Sequence, residues 1–490
     1  MKVRIYFVPM CLIVTSTVYL LLFSGCQVGP DYLRPEYSVP DQWHEKTVKG
    51  LEDGSADLQT WWKVFNDPVL ESLIQRSDTE NLDLQIAYAR VMESRALLGV
   101  AAGEYWPDVD AVGAYSRTRP SKNGVLAGLP VTTTDQLNLH SAGFDSSWEI
   151  DVFGRISRSV ESAQANLEAS IENYRDVLVS LYSEVAQSYI ELSSIQARLR
   201  YAQNNIKLQQ DTLELTRKRR EAELVPELDV QQAELVLATT ESTIPVLRQS
   251  EAQAIHRLSV LLGQSPAFLY NELSTGSKIP DVPEDITVGL PTELLRQRPD
   301  IRRAERILAA QTADIGIATA GLYPAFSLSG TFALEAQQMK EIGEWDSRKW
   351  GFGPAIRWNL FDGDRIKSSI KVQQAQAEQA MVIYEQTILL ALEEVENVMV
   401  AFAEEQQRVE ALERSVSAAQ KSVELVKELY EIGLTDFQNV LDMQRALTNQ
   451  QDQLAESRGR VAKNLVRIYT SLGGGWSVDI PETSHTEPKN

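Results

Sequence analysis

Cysteine and histidine are scarce: the 490-residue chain holds two of the first and four of the second. No CxxC, no HExxH and no paired Cys/His cluster occurs, so a dedicated metal site is not expected. A glycine-rich phosphate loop and a GxSxG turn are also missing, and nothing points to an enzyme. Positive charge is in deficit. The 47 Lys and Arg stand against 68 Asp and Glu, and the net charge of −21 argues against nucleic acid as a partner. Helix breakers are absent from two long stretches. Neither Arg155 to Val225 nor Arg365 to Ile432 contains a Gly or a Pro.

Each breaker-free stretch predicts one helix of nearly seventy residues, on the order of 100 Å at 1.5 Å per residue. Apolar residues recur at 3,4 spacing, as in Val395, Val398, Phe402, Val409, Leu412, Val416, Ala419, Val423, Val426 and Tyr430. A stripe sustained this long predicts coiled-coil packing, because compact domains rarely hold such helices. Tight turns follow, with Pro226 near a helix start and Gly433 as a C′ residue. A return helix then runs from each turn to about Gly263 and Gly473, and Pro245 is expected to kink the first.

The chain also repeats itself. Trp148, Arg155, Ile156 and Ser159 return as Trp358, Arg365, Ile366 and Ser369, at an offset of 210 that holds as far as Leu262-Gly263 and Leu472-Gly473. Upstream the offset is 217, pairing Asp83 with Asp300, Pro107 with Pro324 and Gly113 with Gly330. The extra residues of the first copy fall in the turn-rich segment "RTRPSKNGVLAGLPVTTTDQ" (117–136), which reads as an exposed loop.

Period-2 alternation precedes each hairpin. In "HSAGFDSSWEID" (140–151) Ala142, Phe144, Trp148 and Ile150 share a face; "AFSLSGTFAL" (325–334) and "WGFGPAIRWNLF" (350–361) alternate likewise, and "DVDAVGAYS" (108–116) more weakly. Such lengths suit tilted membrane strands with an aromatic face on lipid and a polar face on a watery lumen. Half-buried strands of a soluble sandwich are the alternative. Four strands cannot close a membrane barrel, so several chains must share one: two chains give eight strands and three give twelve.

The N-terminus has Lys2 and Arg4, an apolar run from Ile5 to Phe23, then "SGC" at 24–26. This layout is that of a secretory signal, and the small-small-Cys junction resembles a bacterial lipobox with cleavage before Cys26 and acylation of its sulfur. Phe23 stands where Leu is usual. An uncleaved anchor of roughly 19 residues is the other reading.

Three segments carry a family resemblance: "CQVGPDYLRPEYSVPDQW" (26–43), "LLRQRPDIRRAERILAAQTADIGIATAGLYPAFSLSG" (294–330) and "LYEIGLTDFQNVLDMQRAL" (429–447). Together they resemble the outer-membrane efflux protein (TolC-like) family, in its lipoprotein branch, over about 26–475. The resemblance implies an α+β membrane protein: a homotrimer with one twelve-stranded β-barrel, four strands per chain, continuous with an α-helical periplasmic tunnel. It implies the outer membrane of a Gram-negative bacterium and no cofactor beyond the lipid on Cys26. Implied partners are a periplasmic adaptor and a proton-driven inner-membrane transporter. The function implied is a passive efflux duct. A duct for protein secretion and a pore-less coiled-coil scaffold are the alternatives.

The same resemblance implies a periplasmic gate at the helical tips. Asp442 matches an acidic-ring position. Asn439 stands at a second such position, and Gln438 lies beside it. Asp229 matches a first-tip carboxylate, and Tyr430 the tyrosine that ties to it. Thr435 stands where some members carry an Arg latch. The expected segments are a signal at 1–25, the lipidated segment with a leading helix at 26–105, barrel hairpins at 106–151 and 324–361, and helical hairpins at 152–263 and 362–473. A linker, belt and second leading helix take 264–323, and a tail takes 474–490.

Overall fold

The computed structural model describes residues 27–40, 42–44, 51–53, 58–119, 136–283, 286–288 and 291–476. Cys26, the leader, most of the 117–136 loop and the tail beyond 476 lie outside them. The chain divides into two units. One takes Met1–Pro35, Met92–Ala169 and Ala304–Ile383; the other takes Glu36–Val91, Ser170–Arg303 and Tyr384–Asn490. Four strands, β1 (Asp108–Thr118), β2 (Leu137–Ile150), β3 (Ala325–Ala336) and β4 (Arg348–Arg357), belong to the first unit. The principal helices are α1 (Pro68–Glu80), α2 (Leu82–Gly103), α3 (Arg155–Glu221), α4 (Glu227–Leu261), α5 (Pro299–Ala320), α6 (Arg365–Glu431) and α7 (Phe437–Ser471).

In the first unit the strands form one antiparallel sheet in the order β1-β2-β3-β4. Its register sets Ala111 opposite Phe144, Phe144 opposite Phe332 and Phe332 opposite Trp350, so the apolar residues share a face across all four strands. Trp350 is 69% exposed and Phe352 79%, so no described residue covers this aromatic face. The opposite face carries Asp110 across from Asp145, then Thr331 and Gly351. The strand expected at 350–361 stops at Arg357. Beyond it the Trp358 indole donates to the Leu322 carbonyl at 3.0 Å, as Trp148 donates to Tyr105 at 2.9 Å. Both pairs keep the repeat's spacing.

Local caps explain where α3 starts. The Asp151 carboxylate accepts from the amides of Ile156 and Ser157 at 3.0 and 2.8 Å, satisfying donors that a helix leaves open. Residues 27–34 lie against the start of this helix. Gly29, at φ +93°, approaches Gly316 so closely that a side chain on it would meet backbone. Arg158 is buried and donates to the Val28 carbonyl, to Asp31 at 2.7 Å and to Glu161 at 2.7 Å.

Helices α3 and α6 are 67 residues each, with their parts from Ser170 and Tyr384 onward in the second unit, and α4 and α7 there are 35 each. Polar ties cross between them. Gln444 donates to Thr212 at 2.7 Å in a buried position, Arg198 grips Asp452 with two bonds, and Arg217 pairs with Glu234 at 2.8 Å. Helix α4 continues through Pro245. Both Pro245 and Glu241, whose carbonyl loses its amide partner, are exposed, so water replaces the bond. A short parallel pairing joins Leu51–Asp53 to Ile286–Val288.

The 294–303 part of the signature segment is a charge lattice. Arg298 donates to both oxygens of Asp300 at 3.0 and 2.7 Å, to Glu394 at 2.8 Å and to the Ser471 carbonyl at 2.7 Å. The guanidiniums of Arg175 and Arg302 lie over the Trp476 ring at 4.6 and 5.1 Å. Both arginines bond to Glu172.

Candidate gate at the helical tips

The two inter-helix turns are built alike. At the end of α6, Leu434 N donates to Leu429 O at 2.8 Å and Gly433 N to Tyr430 O at 3.0 Å. This is a Schellman cap with Gly433 at φ +77°. At the end of α3, Leu224 N donates to Arg219 O and Glu223 N to Arg220 O, both at 2.9 Å. Here the left-handed position is held by Glu223, at φ +58°. Pro226 is the N-cap of α4 and Asp436 that of α7. Side chains from both hairpins close a shared tip core of Leu213, Val225, Val230, Val426, Phe437 and Leu441. The Tyr430 ring lies 5.1 Å from that of Phe437.

The expected gate residues divide by position. Asp442 is exposed on α7, where it accepts from Gln438 at 2.9 Å and lies 3.7 Å from Arg445. Its charge is therefore partly offset on its own helix. Asn439 bonds back to the Thr435 hydroxyl at 2.9 Å, which keeps its amide within the same turn. Asp229, in the first turn of α4, is half-buried. Burial and the nearby Asp436 carboxylate raise its pKa above the ordinary carboxylate value, against the pull of Arg219.

The expected tie between Asp229 and Tyr430 does not form within the chain. The Tyr430 hydroxyl is buried with no hydrogen-bond partner. The Thr216 hydroxyl lies beside it, outside hydrogen-bond geometry, and donates to the Thr212 carbonyl at 2.8 Å. Besides the shared apolar core, Arg219 joins the tips, its guanidinium lying 4.6 Å from the Tyr430 ring. Sequence reading passed over this residue. Its only mark is the basic run "RKRR" (217–220) at a helix end, which reads equally well as ordinary dipole compensation.

The model of the family described as outer membrane efflux protein matches this sequence twice, at residues 73–264 and 290–474. The chain belongs to the outer membrane efflux protein family. The two matched stretches are the two repeats. Nodulation protein T of Rhizobium leguminosarum bv. trifolii is 32% identical over 464 residues, covering 94% of this chain and 97% of its own length. The toluene efflux pump outer membrane protein TtgC of Pseudomonas putida is 30% identical over 95% of this chain and 96% of its own. Among solved structures, the outer-membrane channel OprN superposes with a TM-score of 0.85 at 36% identity, over 92% of this chain and all of that one. The fold of this outer membrane efflux protein is thus a trimeric channel, in which three four-stranded sheets close a twelve-stranded barrel continuous with a helical tunnel. Its function is that of an outer-membrane channel component of an efflux system. Among the described residues, no helix is long and apolar enough to cross a membrane.

Proposed function

We propose that this outer membrane efflux protein is the passive exit duct of a tripartite pump, anchored by lipid on Cys26 and closed at rest where its helical tips converge. The observation that carries the gate reading is the shared tip core, which joins both hairpins of one protomer beside Asp229 and Asp442. Three protomers repeat Asp442 around the tunnel end, where such a ring attracts cations and repels anions. Gln438 and Asn439 line the same turn and set the polar collar around it. Leu224 and Leu434 project from the two turns, 67% and 72% exposed, and give a periplasmic adaptor an apolar surface to cover. A proton-driven inner-membrane transporter supplies the energy, and the duct does no chemistry. The open aromatic face of the sheet supports a membrane duct over a pore-less scaffold.

The test is planar-bilayer recording of the purified trimer in asymmetric KCl. Wild type should conduct with cation preference and be blocked by divalent ions. Asp442→Ala should lower both preference and block, less than a bare carboxylate ring would because Arg445 already offsets part of the charge. Identical reversal potential and block in the two proteins would remove Asp442 from the gate. Loss of palmitate labelling in Cys26→Ser tests the anchor; undiminished labelling rules it out.

A further inference from the structure

Arg219 lies in the last turn of α3, yet its guanidinium serves the end of another helix. Nη1 donates to the carbonyl oxygen of Tyr430 and, at 3.2 Å, to that of Glu431. These are among the last carbonyls of α6, which carry the negative end of the helix dipole; that of Tyr430 also accepts from the Gly433 amide at 3.0 Å. The same group covers the face of the Tyr430 ring, while the Tyr430 hydroxyl points to no partner. Both carbonyl bonds come from Nη1 while the flat guanidinium covers the ring; an ammonium could donate to two carbonyls but has no planar face to lay on the ring.

The internal repeat makes the contact one-sided. In the 210 register the counterpart of Arg219 is Leu429, which is 42% exposed. No guanidinium from α6 can therefore return the contact from that position to the end of α3. Beyond the shared apolar core, the helix end of the second tip is held by a guanidinium of the first, with no counterpart in the other direction at that position.

We propose that Arg219 is the positioning residue that holds the α6–α7 tip against the α3–α4 tip in the closed channel, acting on the helix-end carbonyls and the ring face of Tyr430 and not on its hydroxyl. This rests on the gate reading above. Releasing charge-assisted bonds of this kind should shift the open-to-closed ratio by on the order of tenfold to a hundredfold.

Single-channel recording of the reconstituted trimer separates the possibilities. Arg219→Gln and Tyr430→Leu should each raise the resting open probability by at least about tenfold. Arg219→Lys should fall between them and wild type, since it keeps the charge and a donor for the carbonyls but loses the flat face on the Tyr430 ring. Tyr430→Phe should match wild type, because the hydroxyl holds nothing. An open Tyr430→Phe channel, or an Arg219→Gln channel as closed as wild type, overturns the proposal. If Arg219→Gln fails to assemble as a trimer, Arg219→Lys decides: a raised open probability supports the clamp and a wild-type one removes it. Asp442→Ala, recorded alongside, tells the two failures apart. Altered selectivity in that variant with a silent Arg219→Gln leaves the gate standing without this clamp. Silence in both removes the gate and the clamp together.

Discussion

Replacing Arg298 with Met should loosen the junction between the end of α7 and the start of α5, and the loss should depend on pH. The guanidinium is 13% exposed and Asp300 is 20% exposed, so their pairing is largely sheltered, whereas Glu394 is 51% exposed and can turn to water. Removing Arg298 therefore strands one buried carboxylate, Asp300, left with the Ile301 amide at 2.9 Å as its nearest bond. Breaking a buried pair from one side costs about 3–5 kcal/mol; residual exposure places the expectation near 3 kcal/mol, or roughly a hundredfold in local opening. Burial alone would raise the pKa of Asp300, but the bonds and charge of Arg298 outweigh it and hold the carboxyl below the ordinary value. A depressed carboxylate contributes stability above its unfolded pKa and loses it as pH falls through the folded one. In the Met variant only the Ile301 amide and the charge of Arg303 still oppose burial, so the Asp300 carboxylate is less favoured at neutral pH and the loss shrinks once it is protonated. Hydrogen–deuterium exchange over 291–300 and 471–476 should show about a hundredfold less protection in the variant at pH 7. The gap should narrow as pH drops into the carboxylate range. Adding Asp300→Asn should recover part of the loss at neutral pH. Equal protection at pH 7, or a gap that does not change with acid, would refute the reasoning.

Two further outcomes concern the tips. Glu223→Gly should stabilise the first turn by about 0.5–1 kcal/mol by relieving a left-handed side chain, while Gly433→Ala should cost the second turn about 1 kcal/mol; exchange rates across each turn report both. Because Asp229 has a raised pKa, exchange protection at 222–236 should be highest in acid and fall as pH rises from the ordinary carboxylate value through the raised one, and Asp436→Asn should flatten that fall. A pH-independent tip would show that the two carboxylates do not sense each other.

The long helices and the strands were legible because each is written in local pattern. The breaker-free runs give α3 and α6, and the alternation around Phe144, Phe332 and Trp350 gives three strands that turn out to share one face. The 210 offset even transfers the indole bond of Trp148 to Trp358. What could not be read is side-chain reach over long sequence separations. Arg219 meets Tyr430 across 211 positions, and nothing in "RKRR" distinguishes the arginine that crosses from those that face water. The tie expected between Asp229 and Tyr430 failed for the same reason: a shared neighbourhood was inferred, but the direction of a hydroxyl was not. Likewise "RPDIRR" marks the family strongly, yet its chemistry lies in Glu172, Glu394 and Trp476, none of which is near it in sequence.

The two turns of one protomer share a backbone and differ in chemistry: Glu223, Val225 and Pro226 in the first answer to Gly433, Thr435 and Asp436 in the second. A trimer therefore ends in six tips of two alternating kinds. Any ring of six identical subunits seated there meets only three equivalent positions, so neighbouring subunits of that ring must bind in two different ways. A substitution at one turn then weakens every second contact and leaves the others whole. Such an end can lose affinity in steps and change partners one set at a time, which a channel with six identical tips could not do.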